Sequence, residues 1–255
     1  MRLTTSNILL GVEPTVSIGG SLDNPLNIVD PDFSTSYTGT DNINLVFDFG
    51  ASSLINYVAI AGINIEGRKD YSSYVQVIDT NTIVSTNFVI RNNCVMLTFE
   101  PRAFSNLRIR LHNPIGNILP AARFVAAGTY LELPLGGENA GYNRQFLNRN
   151  TTTKSTLSDL SAPTSVLKKN TSPRASLTLP NMTKEFSEVE WQTFLDFSQN
   201  NYFFIVEQDD NFTDDFFRNS SSYLCFEVMN TSTTAHAQTR LMNNISISFK
   251  VFNGL

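Results

Sequence analysis

The sequence predicts a mainly β protein, with an N-terminal jelly-roll β-sandwich followed by a smaller α+β domain that has an antiparallel sheet and one helix. Hydrophobic residues make up 41% of the 255-residue chain, enough to form buried cores, whereas charged residues make up only 16%. Asn, Ser and Thr take the place of charged residues, and they favour turns and strand surfaces over exposed helices. Short runs of alternating apolar and polar residues recur along the chain and are typical of strands with one buried face.

The first part of the chain, residues 1–134, carries most of the strand signals. The clearest alternating runs are residues 45–49, which stop at Gly50, and residues 55–65 and 107–111. Weaker candidates are residues 74–78, 83–90, 94–100, 123–127 and 129–133. Because short strands joined by turn-rich segments are typical of sandwiches, we expect a jelly roll without a helix longer than two turns.

A change in composition marks the predicted domain boundary. Residues 134–141 have the Gly and Asn content of turns, so we assign residues 135–255 to the second domain. Residues 148–173 then form a polar tract with few apolar residues, which could not by itself offset about 1–2 kcal/mol of backbone entropy per ordered residue. We expect this tract to be a long loop that acts as an assembly arm and becomes ordered against a neighbouring subunit. The alternative is a flexible interdomain linker.

One helix signal stands out in the second domain. Ser187 lies three residues before Glu190, the spacing of a capping box, and Phe186 and Trp191 occupy the flanking positions of a hydrophobic staple. The apolar side chains that follow share one helical face: Trp191, Phe194 and Leu195. With strands predicted at residues 175–179, 202–206, 223–229 and 245–252, this favours an antiparallel sheet that carries one helix.

Charge and hydropathy limit the classes of partner. The net charge is −5 and the pI is near 5.0, so we expect no attraction to the phosphates of a nucleic acid. The N-terminal residues reach only the short apolar run 8–10 before Gly11, which is neither a signal peptide nor a membrane span. We therefore expect synthesis in the cytoplasm of the producing cell and no membrane insertion.

Residues that could carry catalysis are sparse. The two histidines, His112 and His236, lie in different predicted domains, and no phosphate loop, nucleophile elbow or metal-ligand spacing is present. Cys94 and Cys225 each lie inside an apolar run and are predicted to be buried, reduced thiols. We therefore predict a protein that is not an enzyme and needs no cofactor.

An acidic cluster in the second predicted domain is a candidate calcium site. Asp209, Asp210, Asp214 and Asp215 could supply oxygen ligands to calcium. The segment lacks the glycine-centred spacing of an EF-hand loop, so a solvated loop is the favoured interpretation and no metal site is predicted.

Three segments carry a resemblance to a known fold family. Residues 27–37, 44–50 and 55–62 resemble the discoidin (coagulation factor 5/8 C-type) galactose-binding-like jelly roll, with an Asp-rich loop that ends in Thr and an aromatic, a strand ending in Asp-Phe-Gly, and an apolar strand. This resemblance implies ligand binding through loops at one end of the barrel, with Asp32, Tyr37, Arg68 and Tyr71 as candidate contacts. The alternative is that Tyr37 fills the end of the barrel and Asp32 caps a turn.

A narrower resemblance concerns the order of the elements. Residues 128–134 read Gly-Thr-Tyr-Leu-Glu-Leu-Pro, and a sheet, a Trp/Phe helix and the strand at 202–206 follow. This order resembles minor structural proteins of tailed bacteriophages. It implies a virion structural protein of the tail, tail tip or fibre-attachment region, made in the host cytoplasm, whose partners are copies of itself and other tail proteins. The alternative is a carbohydrate-binding module that recognises a cell-surface or extracellular glycan.

Overall fold

A computed structural model describes residues 1–18, 24–30, 32, 34–39, 42–65, 74–87, 93–113, 120–134, 151–157, 163–170, 174–207, 221–235 and 242–252. Within these residues the protein is mainly β, all strand pairs are antiparallel, and there is one α-helix. The predicted fold class is therefore confirmed.

The first part of the chain contains ten described strands. They are β1 (Arg2–Thr4), β2 (Thr15–Ile18), β3 (Tyr37–Thr38), β4 (Ile43–Ala61), β5 (Tyr74–Asp79), β6 (Thr82–Asn87), β7 (Cys94–His112), β8 (Ala121–Ala122), β9 (Phe124–Gly128) and β10 (Tyr130–Glu132). A 3-10 turn at Pro25–Ile28 is the only helical element among the described residues of this part. This agrees with the expectation that it contains no long helix.

Two long strands, β4 and β7, run through both layers of a sandwich. Residues 43–48 pair with 106–111, and residues 57–61 pair with 94–98. The first pairing lies in a five-stranded layer with the order β2-β4-β7-β5-β6. The second pairing is extended by β9, which pairs with residues 57–61 and makes a three-stranded layer. The core of the sandwich lies between the two layers and includes Leu45, Phe47, Val58, Ile60, Leu107 and Ile109.

Gly50 does not end a strand, contrary to the sequence prediction. It adopts a left-handed conformation with φ +65°, and its N–H donates to the Asp48 carboxylate at 2.9 Å. A glycine in this conformation is typical of a β-bulge, which bends a strand without ending its pairing. The separate strands predicted at 45–49 and 55–65 are therefore two halves of β4.

The second part of the chain builds a six-stranded sheet. The described elements of this part of the chain are β11 (Thr151–Leu157), β12 (Pro163–Asn170), β13 (Arg174–Thr183), a π-helical turn (Phe186–Glu190), α1 (Trp191–Ser198), β14 (Phe203–Glu207), β15 (Ser221–Ala235) and β16 (Met242–Val251). The sheet has the order β10-β1-β14-β15-β16-β13. Strands from both sides of the predicted boundary at 134/135 thus share one sheet, while the boundary residues 135–150 lie outside the described residues.

The six-stranded sheet packs against other elements on both faces, although alternate residues of its edge strand β13 are exposed. One face packs on the outer face of the three-stranded layer, where Phe204, Val206 and Leu224 meet Tyr57, Ala59, Ala61, Cys94, Met96, Phe124 and Ala126. We name this contact the junction. The other face packs under the helical segment, where Trp191 and Phe194 contact a cluster that includes Phe203 and Phe249.

The helical segment begins about one turn earlier than the sequence predicts. The Thr183 hydroxyl accepts from the N–H of Phe186 at 3.2 Å, which is an N-cap contact. Ser187 lies inside the segment, and its hydroxyl donates to the carbonyl of Thr183 at 2.9 Å. The predicted capping box at Ser187 and Glu190 is therefore wrong, because burial of Phe186 beside Trp191 extends the helical turn back to Thr183.

The predicted polar tract contains a β-hairpin where the sequence suggested a loop. Strands β11 and β12 pair along residues 151–157 and 163–170 and form a separate two-stranded sheet. In the described part of the chain neither strand joins another sheet. A two-stranded hairpin is marginally stable on its own in water. Its role as an assembly arm stays a prediction.

Candidate functional site

Of the four residues predicted to bind a ligand, the structure describes Asp32 and Tyr37. Arg68 and Tyr71 lie outside the described residues. Asp32 is exposed, and its carboxylate accepts from the Ser34 N–H at 2.8 Å. Hydrogen bonds from the backbone and side chain of Ser34 hold the pKa of Asp32 below its usual value. Tyr37 is fully buried in the sandwich core and offers no ring face to a ligand. This geometry matches the alternative in which Asp32 caps a turn, while the ligand role of the four residues stays a prediction.

An open cleft of about 550 Å³ lies instead at the edge of the junction. Three separate parts of the chain meet there: the N-terminal segment with β9, the end of α1 with the start of β14, and a bulge in β15. We name it the junction cleft, and its lining residues are Asn7, Leu10, Phe124, Ser198, Gln199, Asn200, Asn201, Tyr202, Phe226 and Glu227. Ligand sites are typically concave, are a few hundred Å³ in size and lie preferentially between structural units.

Aromatic rings form part of the lining of the junction cleft. Phe124 is 2% exposed and stacks on Phe204 with ring centroids 6.2 Å apart. Tyr202 meets Phe124 edge to face at 5.9 Å, and Phe226 meets Tyr202 edge to face at 6.4 Å. Tyr202 and Phe226 are half-buried, so part of each ring remains open to the cleft. The rings pack against each other and are therefore held in place before any ligand binds.

Amide side chains also line the junction cleft, because α1 ends there. The N–H of Gln199 donates to the carbonyl of Leu195 at 3.1 Å, and the side-chain amide of Asn201 donates to the carbonyl of Phe197 at 3.0 Å. These bonds satisfy carbonyls of the last helical turn and fix the chain direction into β14. Gln199 and Asn200 remain exposed. Each presents a donor and an acceptor to the cleft.

Glu227 closes the cleft from a strained backbone position. Its φ is +52°, which a residue with a Cβ rarely adopts, and the register of β15 against β16 shifts between Phe226 and Val228. A bulge of this kind turns a side chain away from the normal strand alternation. The Glu227 carboxylate accepts from the ammonium of Lys250, so the carboxylate that lines the cleft is paired with a cation. Backbone strain of this sort clusters at binding and catalytic sites.

The described residues offer little reactive chemistry. Burial raises the pKa of both thiols, Cys94 and Cys225, which keeps them protonated and weakly nucleophilic. No three His, Cys, Asp or Glu side chains converge on a metal position in the described ranges. His236 and the acidic cluster 209–215 lie outside those ranges. No helix in the described part of the chain is long and apolar enough to cross a membrane.

No protein-family model and no curated protein matches the chain. Several solved structures are similar to part of it. The chain is similar to chitosan-binding module 1 of a chitosanase/glucanase from Paenibacillus sp. IK-5, with 19% identity and a TM-score of 0.38 over 48% of this chain and 98% of the module. It is also similar to CBM32-5 from Clostridium perfringens in complex with GalNAc-β-1,3-galactose, with 12% identity and a TM-score of 0.39 over 48% and 99% of the two chains. A fucose-binding module of Streptococcus pneumoniae gives 18% identity and a TM-score of 0.37 over 48% and 94%. At these identities and TM-scores, the likeness assigns neither a family nor a ligand to this chain.

Sequence reasoning missed the junction cleft. The run Gln199-Asn200-Asn201-Tyr202 directly follows the predicted helix and combines amides with an aromatic ring. That run is the one local signal that could have marked the site. The other lining residues come from distant positions, such as Asn7, Phe124 and Glu227, and only the folded chain brings them together.

Proposed function

We propose that the protein is a carbohydrate-binding protein without catalytic activity and that the junction cleft holds a neutral saccharide. The observation that carries this proposal is the combination of preorganised aromatic rings with exposed amides in one cleft. A sugar ring has an apolar face of C–H groups and a rim of hydroxyls. The open parts of Tyr202 and Phe226 suit the apolar face, and Gln199 and Asn200 suit the hydroxyls.

The charges in the cleft favour a neutral ligand. Glu227 is the only carboxylate of the described lining, and Lys250 already neutralises it. Its carboxylate oxygens can still accept hydrogen bonds from sugar hydroxyls. Hydrolysis of a glycosidic bond typically uses two carboxylates that flank the bond, and the described lining presents one. The cleft therefore supports binding and not cleavage.

A glycan array with the full chain tests the proposal. We expect the wild type to bind at least one neutral oligosaccharide, and the double variant Tyr202→Ala/Phe226→Ala to lose about tenfold or more in affinity because it removes the rings that support the sugar face. Phe99→Ala is the matched control, since Phe99 is a half-buried aromatic of the sandwich outside the cleft. Unchanged binding by the double variant, at an unfolding midpoint that shows it is folded, would place the sugar elsewhere.

An assembly role in a tailed-phage virion is a second candidate function, with the virion tail as the location. The observation that favours it is the β11–β12 hairpin, which pairs only with itself among the described residues. A marginally stable hairpin gains stability when a neighbouring surface covers it. Both functions are compatible, because the hairpin and the cleft are formed by different residues.

Limited proteolysis tests the arm. We expect cleavage within residues 151–170 of the isolated protein at a protease concentration that leaves the six-stranded sheet intact, because opening the hairpin breaks no other sheet. In an assembled particle the same bonds should be protected. Equal cleavage rates in both states would leave the hairpin as a linker and not an arm.

A further inference from the structure

Two arginines and a histidine form a row on the outer face of the five-stranded layer, away from the junction. Leu107, Ile109 and Leu111 of β7 point into the sandwich core. Side chains alternate along a strand, so Arg108, Arg110 and His112 share the opposite, outer face. All three are half-buried. β7 lies inside the layer between β4 and β5, which places the row at the centre of this face.

The two guanidinium groups of this row have no carboxylate partner among the described residues. Two other arginines form ion pairs within the described residues: Arg102 with Asp79 at 2.8 Å, and Arg2 with Glu132 at 3.4 Å. In register beside Arg108 and Arg110 are Val46 and Asn44 on β4, and Ile78 and Gln76 on β5. The acidic side chain on the same face is Asp48, at the far end of the row, where it accepts from the N–H of Gly50. The row is therefore a positive patch on a chain of net charge −5.

Two buried polar atoms beside this patch lack hydrogen-bond partners in the described part of the chain. They are Nε of Arg108, a donor, and Oε1 of Gln76, an acceptor. Gln76 is paired in register with Arg110 and is therefore a diagonal neighbour of Arg108 on the same face. Leaving such atoms unsatisfied is unfavourable. Both atoms lie below the surface of this face, so a ligand would contact the accessible parts of the same half-buried side chains, with an oxyanion at Arg108 and a hydroxyl at Gln76.

An aromatic pair lies at one end of the row. The rings of Tyr74 and His112 are stacked, with centroids 4.7 Å apart and an interplanar angle of 26°. Their half-buried rings form an apolar platform next to the arginines. Arg108 and Arg110 are two residues apart on one strand, which separates their Cα atoms by about 6.6 Å. The face thus combines two cations, an amide acceptor and an aromatic platform.

We propose that this face is a second binding site, separate from the junction cleft, and that it takes an acidic saccharide of the uronic-acid type. Such a ligand carries a carboxylate for Arg108 and Arg110, hydroxyls for Gln76 and a ring face for Tyr74 and His112. A nucleic acid fits poorly, because its dense negative charge would meet few cations on a chain of net charge −5.

Calorimetric titration of the full chain at low salt tests this second site. The probe is a galacturonate trisaccharide, with the corresponding neutral galactose trisaccharide and inorganic sulfate as comparisons. We expect the acidic trisaccharide to bind and the double variant Arg108→Gln/Arg110→Gln to lose at least about tenfold in affinity, since each charge-assisted hydrogen bond is stronger than a neutral one. Arg102→Gln is the matched control, because Arg102 lies on the same strand but already pairs with Asp79.

No binding of the acidic trisaccharide by the wild type, or equal binding by the double variant, would overturn the proposal. Equally tight binding of sulfate would show a site for simple anions and would overturn the saccharide assignment. Should the double variant fail to fold, the Nε–H NMR signals of Arg108 and Arg110 in the wild type must shift on titration. The variant Tyr202→Ala/Phe226→Ala should bind the acidic trisaccharide as tightly as the wild type does, because it changes only the junction cleft. The two proposed sites can therefore fail independently of each other.

Discussion

Replacing Trp191 with alanine is expected to lower the free energy of unfolding by about 3–5 kcal/mol, the cost of removing a large aromatic side chain from a packed core. Trp191 is 1% exposed and lies in a chain of rings that joins the helix to the six-stranded sheet. Its ring lies 5.0 Å from that of Phe194, which meets Phe203 edge to face at 5.2 Å. Truncation would leave a cavity that neighbouring rings can fill only in part.

Urea unfolding followed by far-UV circular dichroism measures this loss, because Trp191 is the only tryptophan and the variant lacks its fluorescence. Val189→Ala is the matched control, since Val189 is 60% exposed on the same helical segment and should change stability by less than about 0.5 kcal/mol. Trp191→Phe should cost much less than Trp191→Ala, because the indole N–H finds no acceptor in the described residues. Equal losses for the alanine and phenylalanine variants would contradict this account of the packing.

Gly128→Ala is expected to cost about 3 kcal/mol, at the upper end of the usual range for overpacking. A Cβ atom at position 128 would lie 2.4 Å from Oγ of Ser6 and 2.6 Å from its carbonyl oxygen. The hydroxyl cannot rotate away without loss, since it accepts from the N–H of Thr129 at 2.8 Å. The Ser6 carbonyl also accepts a hydrogen bond from the buried hydroxyl of Tyr57. The added methyl would therefore push the N-terminal segment off β9.

Gly50→Ala is the comparison for this variant. Gly50 has φ +65°, but nothing lies within 4 Å of a Cβ built there. Its replacement should cost only the left-handed backbone strain of about 1–2 kcal/mol. Thermal and urea unfolding of both variants give the two values side by side. A Gly128→Ala variant as stable as Gly50→Ala would show that the N-terminal segment is not seated on β9 as described.

The alternating patterns predicted the strands better than their ends. Burial of one face governs alternation, and that is a local property of residues such as 107–111. Where a strand ends depends on its partner. The Gly50 signal suggests a turn, yet pairing with β7 continues beyond the bulge. The start of the helix shows the same limit, because Thr183 and Ser187 are both good N-caps and only burial of Phe186 decides between them.

The candidate sites were harder to predict for the same physical reason. Three of the strands in the six-stranded sheet order, β10, β1 and β14, come from distant parts of the chain, and β1 has only three residues. No local pattern indicates that Arg2–Thr4 pairs with both neighbours and brings the N-terminal segment to the end of α1. The alternation of residues 107–111 predicts a strand, but only the folded layer shows that its arginines lack a carboxylate partner among the described residues.

We expect a saccharide to bind at the junction cleft and not at the loops of the jelly roll. Backbone NMR spectra of the full chain, recorded while a neutral oligosaccharide is added, test this most directly. We predict the largest shifts at residues 199–202 and 226–227, with little change at residues 24–39, which contain the turn around Asp32. Shifts confined to residues 24–39 and the neighbouring loops, with residues 199–202 unmoved, would contradict the claim and return the ligand site to the end of the barrel.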